Sequence, residues 1–381
     1  GIIGDKTGRR NAFILYEAIH IASMVVGAFS PNMDFLIACR FVMGVGLGAL
    51  LVTLFAGFTE YMPGRNRGTW SSRVSFIGNW SYPLCSLIAM GLTPLISAEW
   101  NWRVQLLIPA ILSLIATALA WRYFPESPRW LESRGRYQEA EKVMRSIEEG
   151  VIRQTGKPLP PVVIADDGKA PQAVPYSALL TGVLLKRVIL GSCVLIAMNV
   201  VQYTLINWLP TIFMTQGINL KDSIVLNTMS MFGAPFGIFI AMLVMDKIPR
   251  KTMGVGLLIL IAVLGYIYSL QTSMLLITLI GFFLITFVYM YVCYASAVYV
   301  PEIWPTEAKL RGSGLANAVG RISGIAAPYA VAVLLSSYGV TGVFILLGAV
   351  SIIVAIAIAT IGIETKGVSV ESLSIDAVVN K

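Results

Sequence analysis

Apolar residues run along this chain in ten long stretches, and none of them alternates with polar positions as a half-buried strand would. The stretches cover roughly residues 12–29, 35–59, 70–97, 104–123, 188–213, 223–245, 252–270, 274–300, 312–335 and 340–362. A hydrocarbon core about 30 Å thick is crossed by about 20 helical residues. Long non-alternating runs specify helices, because a membrane strand would show a period of two. Short breaks such as Ser30-Pro31-Asn32 and Thr215-Gln216-Gly217 separate the runs. The pattern predicts an all-α, polytopic membrane protein.

Composition removes the alternatives. Hydrophobic residues make up 56% of the 381 positions and charged residues 13%, about half the usual ~25% of soluble domains. So few charges cannot form the shell of a cytosolic enzyme, and the apolar excess excludes a disordered chain. The four cysteines, Cys39, Cys85, Cys193 and Cys293, sit in apolar stretches without a CxxC pair and read as small buried hydrophobes. The net charge of +8 is unevenly placed: 24 of the 28 Lys and Arg fall on loops of one side. By the positive-inside bias those loops, both termini and the long central loop are expected in the cytoplasm. The expected organisation is an N-terminal bundle over 1–124, a cytoplasmic loop over 125–187, a C-terminal bundle over 188–363 and a cytoplasmic tail over 364–381. In the loop, Ala140, Val143, Met144 and Ile147 recur at helical spacing, which predicts a surface helix over Arg136–Glu149. Five prolines in 155–175 read as a linker.

The chain also repeats itself. Asp5-Lys6-Thr7-Gly8-Arg9-Arg10 is matched by Asp246-Lys247-Ile248-Pro249-Arg250-Lys251, 241 positions on. Glu60-Tyr61-Met62-Pro63 is matched by Glu302-Ile303-Trp304-Pro305 at an offset of 242, with Arg67-Gly68 echoed by Arg311-Gly312. Pro125-Glu126-Ser127-Pro128 has a weaker echo in Glu364-Thr365-Lys366-Gly367 at 238. Three motifs in one order at one offset imply duplicated architecture. Extending the offset backwards puts the first half's start about 54 residues before Gly1, so two further helices are expected upstream, in a twelve-helix parent.

These motifs carry a resemblance. Gly1, Asp5, Lys6, Gly8, Arg9 and Arg10 resemble the loop 2–3 signature of the major facilitator superfamily, and Arg40, Gly44, Gly46 and Gly48 its fourth-helix motif. Pro125-Glu126-Ser127-Pro128-Arg129 is similar to the sugar-porter signature after helix 6, and Glu364-Thr365-Lys366-Gly367 to its counterpart after helix 12. The branch resembled joins sugar porters to organic-ion and metabolite:proton symporters. The resemblance implies two six-helix bundles, a substrate site between the repeats and alternating access. It also implies that Asp5, Arg9, Arg10, Asp246 and Arg250 gate the inner side. Glu60, Glu302 and Arg311, at matching helix ends, join that candidate set. Simple anchoring by snorkelling would account for the Lys and Arg but not for the repeated acids. Gly44, Gly46 and Gly48 are expected to let helices approach closely.

The candidate chemistry lies inside the spans. Arg321 stands about ten residues into span 312–335, where an unpaired arginine costs at least ~2.5 kcal/mol. It is expected to meet an anion, either a substrate carboxylate or a buried acid, with Asn317 one turn away. Gln202, Tyr203, Asn207 and Trp208, together with Asn79 and Trp80 of the counterpart span, offer the amides and aromatic walls of a small-molecule cavity or of a polar helix interface. Glu17 and His20, one turn apart, form a proton-coupling pair or a mutually satisfied polar pair. Where sugar porters place paired glutamines in helix 7 this chain has Ala197-Met198, and Ser75 replaces a helix-5 glutamine. A carboxylated or anionic metabolite is therefore expected over a hexose, moved by proton symport. A sugar porter, a non-transporting sensor of the same fold or an inactive fragment are the alternatives. The expected partners are a small-molecule substrate, a proton and the bilayer, with no nucleic acid, metal or cofactor. The protein is expected to be a monomer and not an enzyme.

Overall fold

The computed structural model describes residues 7–61, 67–156, 158–159, 175–305 and 308–366, and among these the chain forms helices and no strand. It divides into two compact units, Gly1–Ser71 with Leu92–Asp166 and Ser72–Gly91 with Asp167–Lys381.

The first unit holds α1 (Arg9–Ala28), α2 (Met33–Tyr61), the start of α3 (Arg67–Asn79), α5 (Ala98–Tyr123), α6 (Pro128–Ser133) and α7 (Tyr137–Thr155). Helix α1 packs on both α2 and α5, and Ala12, Phe13, Tyr16 and Leu50 are buried where they meet. Of the three expected packing glycines only Gly46 touches a neighbour. A Cβ there would come within 3.1 Å of the His20 backbone nitrogen and 3.2 Å of the Tyr16 carbonyl oxygen. Gly44 and Gly48 have nothing within 4 Å of such an atom. Three glycines at a spacing of two cannot all face one helix. Helix α7 runs further than Arg136–Glu149 and ends at Gly156, whose φ of 64° supplies the left-handed cap.

The second unit holds the rest of α3, α4 (Ser81–Leu92), α8 (Tyr176–Leu179), α9 (Gly182–Thr215), α10 (Leu220–Met231) and α11 (Gly233–Val244). It continues with α12 (Arg250–Ser269), α13 (Met274–Cys293), a π-helical turn (Tyr294–Tyr299), α14 (Val300–Glu302) and α15 (Lys309–Ile361). Two of the expected spans are broken rather than continuous. Pro83 and Pro235 each stand in the first turn of the helix after the break, α4 and α11, where a proline excludes the carbonyl four residues back from the ladder. The opposite occurs in α15, where two expected spans run on without a coil and only Gly339, at φ 65° and ψ −161°, interrupts the helical geometry. By length and apolarity eight helical segments among the described residues could cross a membrane, with α15 counting once. Large apolar side chains remain exposed along them, among them Phe41, Ile111, Leu275 and Ile325. That is the surface a lipid-facing helix presents.

Close backbone approach fixes the packing of α11 on α13. A Cβ on Gly237 would fall 2.2 Å from the Thr286 carbonyl oxygen, and one on Gly233 2.4 Å from that of Phe282. The obstacle is main chain and cannot swing aside. Gly237→Ala is expected to cost about 3 kcal/mol by overpacking, read as a lowered melting temperature in detergent. Gly44→Ala is expected to be neutral or slightly stabilising, since it gains helix propensity and meets nothing. Equal melting temperatures for the two variants would contradict the packing.

Candidate functional site

Helix α9 and the first half of α15 run side by side in a fixed register. A Cβ on Gly191 would touch the Cβ of Ala316 at 3.3 Å, one on Gly320 would meet Leu195 and Asn199, and one on Gly324 would meet Tyr203 at 3.2 Å. Small residues at every turn of α15 bring the two helices close enough for their polar side chains to meet. The result is a hydrogen bond from Arg321 Nη1 to Tyr203 Oη of 2.7 Å. Among the described residues no carboxylate lies within ion-pair distance of Arg321. The guanidinium is exposed, and its remaining donors are open to a ligand.

Around this pair stand groups that the sequence only partly announced. The Tyr289 ring meets the Tyr82 ring edge-on at 5.2 Å. The Tyr289 hydroxyl is buried and completes no hydrogen bond, although Tyr82, Gln202 and Tyr203 surround it. Apart from this cluster, Asn227 of α10 donates to Ser86 Oγ of α4 at 3.3 Å while its own side-chain oxygen is unmatched. Gln202 and Tyr203 are therefore brought together with Arg321, and Tyr82 and Tyr289, which the sequence offers only as aromatic residues of their spans, join them. The other candidates are placed differently. Asn317 donates to the Ser313 carbonyl at 2.9 Å and Asn79 to that of Ser75 at 2.7 Å, each turned back on its own helix. Trp80 packs edge-on against Phe76 and Phe232. Asn207 is exposed, and Trp208 lies half-buried against the apolar core.

The charged helix ends show the repeat at atomic scale. In the second unit Arg250 donates to Glu302 through Nε at 3.0 Å and Nη2 at 3.1 Å, and Nη2 also reaches Asp246 at 3.2 Å. Its Nη1 donates to the Met245 carbonyl. Thr365 donates to Glu302 at 2.5 Å. The Glu364 carboxylate accepts the backbone N–H groups of Arg250 (2.8 Å) and Lys251 (3.1 Å), capping α12. The first unit repeats that cap: Glu126 accepts the backbone N–H groups of Arg9 (2.6 Å) and Arg10 (3.3 Å) at the start of α1. Gly8, at φ 97°, lets the carboxylate reach in, since a Cβ there would lie 2.2 Å from Glu126 Oε2. An anion at a helix N-terminus meets unsatisfied donors and the positive end of the helix dipole. Burial opposes the Glu364 charge, but the N–H groups of Arg250, Lys251 and Lys366 outweigh it and hold this carboxyl below its ordinary value. The Arg10 side chain donates to the Trp121 carbonyl, and Arg311 lies over the Tyr176 ring at 5.2 Å. Asp5 and the side chain of Glu60 lie outside the described residues.

Three tyrosines tie the π-helical turn to this charged end. Tyr294 and Tyr299 stack at 5.0 Å, and Tyr291 donates to the Val194 carbonyl at 3.2 Å. Tyr299 Oη accepts the Ile363 N–H at 3.0 Å, which positions Glu364 next to α12. The extra residue of a π turn rotates the helix beyond it, and Glu302 is thereby set against Arg250. In the first unit His20 Nδ1 and Glu17 Oε2 are 3.4 Å apart, with side chains 14% and 10% exposed.

Known proteins place this arrangement. The profile of the Major Facilitator Superfamily matches residues 1–328. The inner membrane metabolite transport protein YdjE of Escherichia coli is 44% identical over 98% of this chain and 82% of its own length. The niacin transporter NiaP of Acinetobacter baylyi is 26% identical over 98% of this chain and 83% of its own. Among solved structures, the xylose transporter XylE of E. coli superposes with a TM-score of 0.73 at 18% identity, covering 97% of this chain and 84% of that one.

Proposed function

The chain belongs to the Major Facilitator Superfamily, and from that premise we propose that it carries a carboxylated or otherwise anionic metabolite across the membrane in symport with a proton. The protein is a multi-pass membrane transporter of a small molecule; the anion and the proton are the proposal. The observation that carries the anion is Arg321, set mid-span, held by the Tyr203 hydroxyl at 2.7 Å and lacking an acidic partner among the described residues. An intramembrane arginine in that condition is matched by a substrate that brings its own negative charge. Gln202 with the hydroxyls of Tyr82 and Tyr289 supplies polar contacts and aromatic walls around it. A niacin transporter stands among the relatives, and niacin is an aromatic monocarboxylic acid. Arg250, Asp246 and Glu302 fit a gate, since ion pairs that hold in one conformation and break in the other bias a two-state equilibrium. The excess of Lys and Arg in the loops at that end supports a cytoplasmic side for the gate. Glu17 and His20 serve the coupling: the two side chains lie 3.4 Å apart, one helical turn from each other and largely buried.

Proteoliposomes with an inside-alkaline gradient, given labelled nicotinate and, separately, labelled xylose, test the reading. Nicotinate is expected to accumulate, and to stop accumulating when a protonophore collapses the gradient. Accumulation of xylose that carboxylates do not compete with would instead identify a sugar porter. Glu17→Gln is expected to abolish gradient-driven accumulation while sparing nicotinate exchange at equal pH. Unchanged accumulation in that variant would remove Glu17 from coupling.

A further inference from the structure

Three buried polar groups at one end of the second unit share a need that nothing among the described residues meets. Arg187, in the second turn of α9, is 3% exposed, yet its Nε and Nη1 have no hydrogen-bond partner. Trp304, in the connection before α15, is 2% exposed with its indole Nε1 unpartnered. The Ser313 hydroxyl, in the second turn of α15, is buried and unpartnered as well.

The register of the two helices places these groups at one level. A Cβ on Gly191 would lie 3.3 Å from that of Ala316 and 3.6 Å from Trp304 Cζ2, the ring carbon beside the N–H edge of the indole. Arg187 precedes Gly191 by one turn on the same face of α9, and Gly312 precedes Ala316 by one turn on α15. A Cβ on Gly312 would lie 2.4 Å from the Trp304 ring, so the indole fills the space between the two helix ends. Arg187 therefore stands opposite the N-terminus of α15, where the helix dipole is positive. Arg250 and Glu302 pair at this same end, two residues before Trp304.

Two guanidinium nitrogens and an indole N–H are donors only, and the serine hydroxyl donates as readily as it accepts. An arginine buried without an acceptor is costly. We propose that Arg187, Trp304 and Ser313 form a binding site for a phosphate-class oxyanion. Donors arriving from three elements in different directions match the tetrahedral oxygens of phosphate better than the single plane of a carboxylate. The phosphate is that of a phospholipid headgroup or of a soluble phosphate. This site is separate from the Arg321 cluster, which lies more than two helical turns further along the same pair of helices.

The test uses the full chain, purified and delipidated in detergent, with thermal unfolding as the readout. Inorganic phosphate is compared with chloride at equal ionic strength. Bilayers of dioleoylphosphatidylglycerol are compared with bilayers of a phosphate-free galactolipid. A rise in melting temperature of at least about 2 °C in the phosphate arm identifies a soluble ligand, and a rise in the lipid arm alone identifies a headgroup. Arg187→Met and Trp304→Phe, which keep bulk and remove donors, are expected to abolish either response. Without phosphate, Arg187→Met is expected to be at least as stable as the parent, because an unpaired buried charge has been removed. No response in either arm, an unchanged response in both variants, or a marked loss of stability in phosphate-free Arg187→Met would each overturn the site.

Discussion

Arg321→Ala should abolish uptake while the protein still folds and reaches the membrane. The two halves of that expectation rest on different facts. Arg321 is exposed and makes one side-chain hydrogen bond, to Tyr203 at 2.7 Å, so its removal strips little from the folded state. Its remaining donors are open to a substrate anion, and truncating one partner of a desolvated charge pair costs about 2–5 kcal/mol. That corresponds to a loss of about 30-fold to several thousand-fold in affinity. Arg321→Lys keeps the charge without the planar fork and should recover only part of the loss. Tyr203→Phe should cost about 1 kcal/mol, or about fivefold, because it removes the hydrogen bond that orients the guanidinium. Uptake of the labelled anion, normalised to surface protein, decides the matter. Uptake that is unchanged in Arg321→Ala would take Arg321 out of the site, and loss of surface protein would show its role to be structural.

Arg250→Ala is expected to damage both stability and transport. The Arg250 side chain is 7% exposed and holds Glu302, Asp246 and the Met245 carbonyl, while Glu302 also accepts from Thr365. Removing the guanidinium leaves a partly buried carboxylate without its cation, worth about 2–3 kcal/mol here because Glu302 remains 34% exposed. The melting temperature should fall, and accumulation should fall with it as the gate loses its bias toward one state. Arg250→Lys should not rescue, since one ammonium cannot span both Glu302 oxygens. Glu302→Gln is the milder partner variant, because the amide oxygen still accepts from Thr365. Acid should act on the same region. Glu364 is held below its ordinary value when folded, so its contribution is present in full above that ordinary value and is lost as pH falls through the folded one. Glu364→Gln should therefore flatten the acid limb of a melting-temperature profile. A profile identical to that of the parent would assign the acid sensitivity elsewhere.

The repeat shows how far one-dimensional information reaches. The offset near 240 aligns Asp246, Arg250 and Glu302 with the first half, and these three residues do meet. The same offset pairs Glu126 with Glu364 only as a weak echo, yet the two carboxylates do the same thing, each capping the helix that its unit's basic motif begins. A cap depends on the placement of one carboxylate, whereas a sequence comparison weighs whole motifs. Tyr82 and Tyr289 are visible in the sequence only as aromatic residues of their spans, for a related reason: a tyrosine in an apolar run looks the same whether it faces lipid, an interface or a site. Asn79 and Asn317 mislead in the other direction. Amide side chains in helices have the carbonyl four residues back always within reach, and both residues take it.

From the sequence alone came the class, the long apolar runs, the charge asymmetry and the duplication. Each depends on quantities that add along the chain: hydropathy over about twenty residues, the sign of loop charges and the recurrence of motifs. The tertiary structure decided which polar side chains meet. That depends on helix register and on backbone approaches of a few ångströms, such as Gly320 on Leu195 and Gly237 on Thr286, and on where a proline or a π turn rotates the chain. Arg321 was visible in the sequence as a charge that needed a partner. That Tyr203 orients it, and that Arg187 still lacks a partner of its own, is decided only by how α9 and α15 are set against one another.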